Sequence, residues 1–229
     1  MKKKLLLVTI LVLSLFLVGC VGDVEDMKED NSKELKIDYS DTTHEVDLSY
    51  DTKNPVVEME FKDYGKVYIE LYKDVAPNTV NNFIYVTHKG FYDNNTSHRL
   101  IDGFVLQGGD PTGTGTGGPG YNIKGEFTQN GFKNDLLHTE KVVSMARSQS
   151  YDSAGSQFFI MLGTAEHLDY QYASFGKVID GWDVVERIVN ENRDKTSDDN
   201  GTLINNLTIT TTKIDLNGYK PKSVKVIEE

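Results

Sequence analysis

The sequence predicts a mainly β domain with two helices, its strands antiparallel and either closed into a barrel or stacked as a sandwich. Three observations predict it. Eight short segments, about residues 56–61, 65–71, 97–101, 104–107, 142–146, 157–162, 174–179 and 207–210, carry the apolar and β-branched residues of strands. Only two segments, 77–90 and 181–190, space their apolar residues along one helical face. Twenty glycines interrupt the chain, as tight turns between short strands require.

Taken in order, the chain begins with a basic start, Lys2, Lys3 and Lys4, and an apolar stretch, Leu5 to Val18, too short for an ordinary membrane span. Leu17-Val18-Gly19-Cys20 then closes this stretch with small residues before a cysteine. The pattern resembles a bacterial lipoprotein signal, with residues 1–19 removed and Cys20 acylated as the new N-terminus. An ordinary secretory signal or an uncleaved anchor is the alternative. Cys20 is the only cysteine, so no internal disulfide forms. Residues 20–53 are rich in Asp, Glu, Lys, Ser and Asn and read as a solvated tether, with a weak strand around Leu35 to Tyr39.

From Pro55 the pattern changes. Val56 to Phe61 and Gly65 to Leu71 alternate as two strands paired through a turn at Lys62 to Gly65. Pro77 opens a helix, with Val80, Phe83, Ile84 and Thr87 on one face and Gly90 ending it. Phe91 to Thr96 is a polar turn before the next strands. Gly181 to Asn190 forms the second helix, with Trp182, Val185, Ile188 and Val189 inward. Residues 54–216 thus form one domain, and 217–229 a tail without clear pattern.

Two runs carry the chemistry. Ser97-His98-Arg99-Leu100-Ile101-Asp102-Gly103-Phe104-Val105-Leu106-Gln107-Gly108-Gly109-Asp110 sets an arginine, a phenylalanine and a glutamine on a segment that breaks into glycines. Gly155-Ser156-Gln157-Phe158-Phe159-Ile160 adds an apolar wall about fifty residues on. In motif and order they resemble the cyclophilin family of peptidyl-prolyl cis-trans isomerases, over roughly Asn54 to Asp215. The resemblance decides between barrel and sandwich: it implies a closed eight-stranded antiparallel barrel capped by two α-helices. It also implies an enzyme acting on X-Pro bonds, with no cofactor and no metal.

Those bonds rotate over a barrier of about 20 kcal/mol and isomerise unaided in roughly tens to hundreds of seconds. No proton transfer or covalent intermediate is needed. An apolar cleft must grip the proline ring, and donors must favour the twisted amide. Binding that state better by about 7 kcal/mol gives a factor of about 10⁵.

The resemblance assigns Arg99 as principal catalytic residue, with a charged fork able to reach the prolyl nitrogen or neighbouring carbonyl. Phe104, Val105, Phe159 and Leu168 line the proline pocket, and Tyr172 its far edge. Gln107 orients Arg99 or the substrate carbonyl. Ala146 and Arg147 match the strand that pairs with substrate backbone, Gln157 contacts substrate beside it, and His98 packs beneath. Four positions depart from common family residues: Val105 for methionine, Arg147 for asparagine, Tyr172 for histidine, and His167 for a tryptophan that donates to cyclosporin. The last implies weak cyclosporin binding with isomerase activity retained.

Other signals carry less. Gly115 to Gly120 satisfies G-x-G-x-x-G but opens no amphipathic helix within a βαβ unit. His44, His88, His98, His138 and His167 show no metal-ligand spacing, and Asp194 to Asp199 reads as a solvated hairpin tip rather than a calcium loop. Ser153 and Ser156 lack a nucleophile elbow. The net charge of −11 disfavours nucleic acid and anionic headgroups as partners. The expectation is a monomeric folding factor, lipid-anchored on the extracytoplasmic face of a bacterial membrane, acting on proline-containing extended polypeptides. A non-catalytic proline-peptide-binding module of the same fold is the alternative, and a solute-binding lipoprotein is disfavoured by the absence of two α/β lobes.

Overall fold

Period-2 alternation on eight strands builds the molecule, seen here in a computed structural model that describes residues 33–36, 38, 46 and 50–228. Cys20, the expected signal and most of the expected tether lie outside the described residues.

The strands are β1 (Lys33–Leu35), β2 (Val56–Phe61), β3 (Gly65–Leu71), β4 (Thr96–Ile101), β5 (Val105–Asp110), β6 (Tyr121–Asn122), β7 (Val142–Met145), β8 (Phe158–Met161), β9 (Ser174–Asp180), β10 (Thr202–Asp215) and β11 (Val224–Glu228). Eight of them close an antiparallel barrel in the order β10-β2-β3-β9-β7-β8-β5-β4. Alternate residues of each strand point inward and fill it: Val57, Met59, Val67, Ile69, Leu106, Val143, Phe158 and Ile160 belong to one buried cluster. Closure leaves the barrel no free edge, which is how eight short strands hold together without a disulfide.

Two helices flank the barrel. In α1 (Pro77–His88) the expected face of Val80, Phe83, Ile84 and Thr87 is buried. Its N-cap residue, Ala76, offers no side-chain acceptor. Glu126 replaces it from a distant loop, accepting from the amides of Asn78 at 3.0 Å and Thr79 at 2.7 Å. In α2 (Trp182–Asn192) Val185, Ile188 and Val189 face the core. Gly181 caps it at φ 74°, and a Cβ there would run into the Lys66 carbonyl, so only glycine fits.

The ends of the domain differ from expectation. β10 begins at Thr202 rather than Leu207, and the region read as a patternless tail carries β11, with Val224 and Val226 buried. β11 lies between β1 and β6 in a separate three-stranded sheet, pairing Leu35 with Val224 and Asn122 with Ile227. Of the weak strand foreseen at Leu35 to Tyr39, Leu35 ends β1, Lys36 is not in a strand, and Ile37 and Tyr39 lie outside the described residues. No helix among the described residues is long and apolar enough to cross a membrane.

Candidate active site

The outer faces of β4, β5, β7 and β8 form the site. Register sets one rung across them: Arg99 pairs with Gln107, Gln107 with Phe159, and Phe159 with Ser144. The next rung pairs Ile101 with Val105 and Val105 with Met161. Strand alternation therefore sends Phe158 and Ile160 into the barrel and Phe159 and Met161 outward. The outward set forms a second apolar cluster, Val105, Val142, Phe159, Met161, Ala165 and Leu168, with Phe104, Ala146 and Tyr172 packed against it. The expected pocket residues thus converge on one surface. All four β8 residues are buried because the outer pair is covered too.

Polar groups line one margin of this cluster as a directed chain. Arg99 donates from NH1 to Gln107 Oε1 at 3.0 Å, Gln107 Nε2 donates to Gln157 Oε1 at 3.0 Å, and Gln157 Nε2 donates to the carbonyls of Gly115 (3.0 Å) and Gly117 (2.9 Å). Each amide accepts on one side and donates on the other, so neither can flip without losing both bonds. Arg99 also donates from Nε to the Asn200 carbonyl at 2.8 Å. Its guanidinium lies 5.9 Å from the Phe104 ring centre, and Phe104 stacks on His167 at 5.6 Å. Burial pulls the Arg99 pKa down, against the attraction of Tyr172 and Asp198 nearby.

β4 bulges here. Ser97 opposes Gly108 and Arg99 opposes Gln107, leaving His98 without a partner across the ladder. His98 is buried beside Gly115. Burial lowers its pKa, and the Arg99 charge adds to that against the attraction of Asp110, so it stays neutral at pH 7. This agrees with a supporting position rather than a titrating one.

The glycine-rich loop closes over the far end of the amide chain. Asp110 Oδ1 accepts from the Thr112 amide and hydroxyl, and Oδ2 from the amides of Thr114 and Gly115. Burial alone would raise the Asp110 pKa, but hydrogen bonds from Thr112, Gly117 and Gly115 outweigh it and hold it at about 2. Any Cβ on Gly117 would collide with this carboxylate. The G-x-G-x-x-G pattern is thus a loop folded around Asp110. Between it and Ala146–Arg147 lies a cavity of about 440 Å³, also bounded by Gln107, Tyr121 and Gln157.

Arg147 is more constrained than its sequence position suggested. Its guanidinium lies 4.4 Å from the Tyr172 ring centre and 5.0 Å from Tyr151, and it donates to the carbonyls of Gln171, Ser148 and Gln149. It braces the loop that carries Tyr172.

Sequence reasoning missed the support behind Phe159. His138 is fully buried, stacks on Phe159 at 6.0 Å, and meets Tyr172 edge-on at 6.4 Å. Its Nδ1 bonds Asp169 at 3.0 Å and its Nε2 lies 3.0 Å from the Ser144 hydroxyl. A carboxylate can only accept, so Nδ1 carries the proton and Nε2 accepts from Ser144. Burial lowers the His138 pKa more than Asp169 raises it. Among the described residues no group of three His, Cys, Asp or Glu side chains could hold a metal ion.

A profile described as cyclophilin type peptidyl-prolyl cis-trans isomerase/CLD matches residues 56–214, all of the barrel but its last residue. The chain belongs to the cyclophilin family. Its relatives include peptidyl-prolyl cis-trans isomerase B of Bacillus subtilis, 45% identical over 56% of this chain and 87% of that protein. The Helicobacter pylori peptidyl-prolyl cis-trans isomerase is 42% identical over 54% of this chain and 74% of its own. A Cryptosporidium parvum cyclophilin type isomerase, crystallised in the presence of the dipeptide Ala-Pro, superimposes with a TM-score of 0.60 at 31% identity, covering 70% of this chain and 98% of that one. This cyclophilin is a peptidyl-prolyl cis-trans isomerase, and the expected eight-stranded barrel with two helices is its fold.

Proposed function

We propose that this isomerase accelerates X-Pro rotation in extended polypeptides outside the cytoplasmic membrane, held there by a lipid on Cys20, with Arg99 as its catalytic group. Phe104, Val105, Phe159 and Leu168 take the proline ring, with Tyr172 at the far edge and His167 flanking Phe104. Ala146 and Arg147, just past the end of β7, pair with substrate main chain on the cavity side, and Gln157 contacts substrate beside them. Gln107 orients Arg99.

One observation carries the catalytic reading: the Arg99 guanidinium is pinned at Nε and NH1 beside an apolar cluster. No hydrogen bond among the described residues engages its NH2, which leaves that edge for a substrate. As the amide twists, resonance is lost and the prolyl nitrogen gains a lone pair. A fixed donor stabilises that lone pair and has little to offer the planar ground state. Only such differential binding speeds the step. The apolar cluster sharpens it by excluding water.

The lipid anchor is supported by the basic start, the short apolar stretch and the single cysteine. Two measurements test the proposal. Arg99→Ala is expected to lower kcat/KM on an Ala-Pro peptide about 100-fold with the fold intact, and an unchanged rate would refute the catalytic role. Expressed in a bacterium with radiolabelled palmitate, the chain should incorporate label that Cys20→Ser abolishes. An unlabelled chain would refute the anchor.

A further inference from the structure

A catalytic guanidinium needs a defined plane as well as a defined place. Arginine reaches its site through four rotatable bonds, and a single hydrogen bond leaves the fork free to turn about it. Gln107 supplies one bond, at NH1. The second, at Nε, comes from the Asn200 carbonyl, about a hundred residues away and on no barrel strand. Two bonds in different directions fix a planar group.

A carbonyl is placed by backbone conformation, so what folds this segment decides where Arg99 points. Residues 193–201 form the hairpin between α2 and β10. Asp198 clamps its turn: Oδ1 accepts from the Thr202 amide and Oδ2 from the Thr202 hydroxyl, both at 2.9 Å. These bonds, the backbone one foremost, pull the Asp198 pKa down, so it is ionised at neutral pH. The Ser197 amide donates to the Thr202 carbonyl at 2.7 Å, and Thr196 bridges to Leu203.

The clamp is also fastened to β4. Thr202 pairs with Arg99 itself, and the Leu100 amide donates to the Gly201 carbonyl at 2.8 Å. Gly201 sits at φ 80°, where a Cβ would meet the Leu100 carbonyl and the Ile101 side chain. Glycine is required for this approach. Asn200 is thus held between a turn closed by Asp198 and a residue that must be glycine.

We infer that this hairpin is a positioning element for catalysis: Asp198, by closing the turn on Thr202, places the Asn200 carbonyl that fixes the plane of the Arg99 guanidinium. The inference rests on the catalytic role proposed for Arg99, and the acidic tip read from sequence as merely solvated acquires a task. Asp198 is a positioning residue and touches no substrate.

The test compares the full chain with Asp198→Ala, Asp198→Asn, Arg99→Ala and the Arg99→Ala/Asp198→Ala double variant. It uses exchange rates on an Ala-Pro peptide and the Arg99 Nε–H signal in ¹⁵N spectra. Asp198→Ala is expected to lower kcat about tenfold with KM within about twofold, and to speed solvent exchange at Arg99 Nε–H. Asp198→Asn keeps an acceptor for Thr202 and should recover to within about threefold of the parent. On the Arg99→Ala background the Asp198 change should cost less than about twofold, because the group it positions is gone. An Asp198→Ala rate within about twofold of the parent, a further tenfold loss on that background, or an Nε–H already freely exchanging in the parent would overturn the inference. If Arg99→Ala itself keeps the parental rate, the catalytic reading fails and takes this one with it; the Nε–H signal still reports whether the hairpin grips the side chain. Should Asp198→Ala unfold, Thr202→Val, which removes only the hydroxyl, must show a smaller loss in the same direction, and no loss overturns the inference.

Discussion

The inner and outer faces of β5, β7 and β8 are built from neighbouring residues, yet they do different work. Inward, Leu106, Val143, Phe158 and Ile160 make one continuous apolar filling. Outward, the same strands present half an apolar wall, Val105, Phe159 and Met161, and half a polar chain through Gln107, with Ser144 bonded to a buried histidine. A one-residue step along a strand separates stability from chemistry. The inner face is sensitive to volume, whereas the outer face is sensitive to direction: which nitrogen donates and which plane a fork occupies.

That contrast is breakable. The largest expected effect is on the inner face. Phe158→Ala should cost about 3–5 kcal/mol of stability in denaturant unfolding, while each molecule that remains folded keeps most of its activity. A large loss of kcat/KM per folded molecule would show that the two faces are not separable. On the outer face Gln107→Ala should do the reverse. It leaves stability within about 1 kcal/mol but lowers kcat/KM about tenfold, because Arg99 NH1 and Gln157 Oε1 lose their partner together.

This division also explains what was legible in the sequence. The eight barrel strands and two helices announce themselves through local periodicity, and Arg99, Phe104, Gln107 and Phe159 lie in two contiguous motifs. Barrel closure was not readable from periodicity, since a sandwich alternates in the same way. β1 and β11 were obscure because each is short and gains its meaning from a partner nearly two hundred residues off. His138 and Asp169 are 31 residues apart with no motif between them. The Asn200 contact is a backbone carbonyl, which leaves no trace in residue type.

Acid titration sharpens the comparison further. His138 and His98 both have pKa values lowered by burial, so the unfolded chain binds their protons more readily. Stability is therefore complete above about pH 6.5 and falls as pH drops below it. Asp110, held at about 2, adds a second loss as pH falls from about 4 towards 2. Thermal unfolding between pH 8 and 3 should trace both steps, and His138→Gln should flatten the first; a flat profile in the parent would contradict these assignments.

The smallest effect concerns His167, which stacks on Phe104 at the rim. His167→Trp should leave turnover within about threefold and tighten cyclosporin binding about tenfold, the indole restoring apolar area and an N–H donor. A submicromolar inhibition constant in the parent would contradict the expected weak binding.

The role proposed for Arg99 requires a fork fixed in plane, and not positive charge alone, to ease the rotation. Arg99→Lys tests it most directly, because lysine keeps the charge but cannot bond the Asn200 carbonyl and Gln107 in the fixed geometry of a fork. Measured as kcat/KM on an Ala-Pro peptide, this variant is predicted to fall most of the way to Arg99→Ala. A rate within about threefold of the parent would show that charge suffices and that the pinned geometry is incidental.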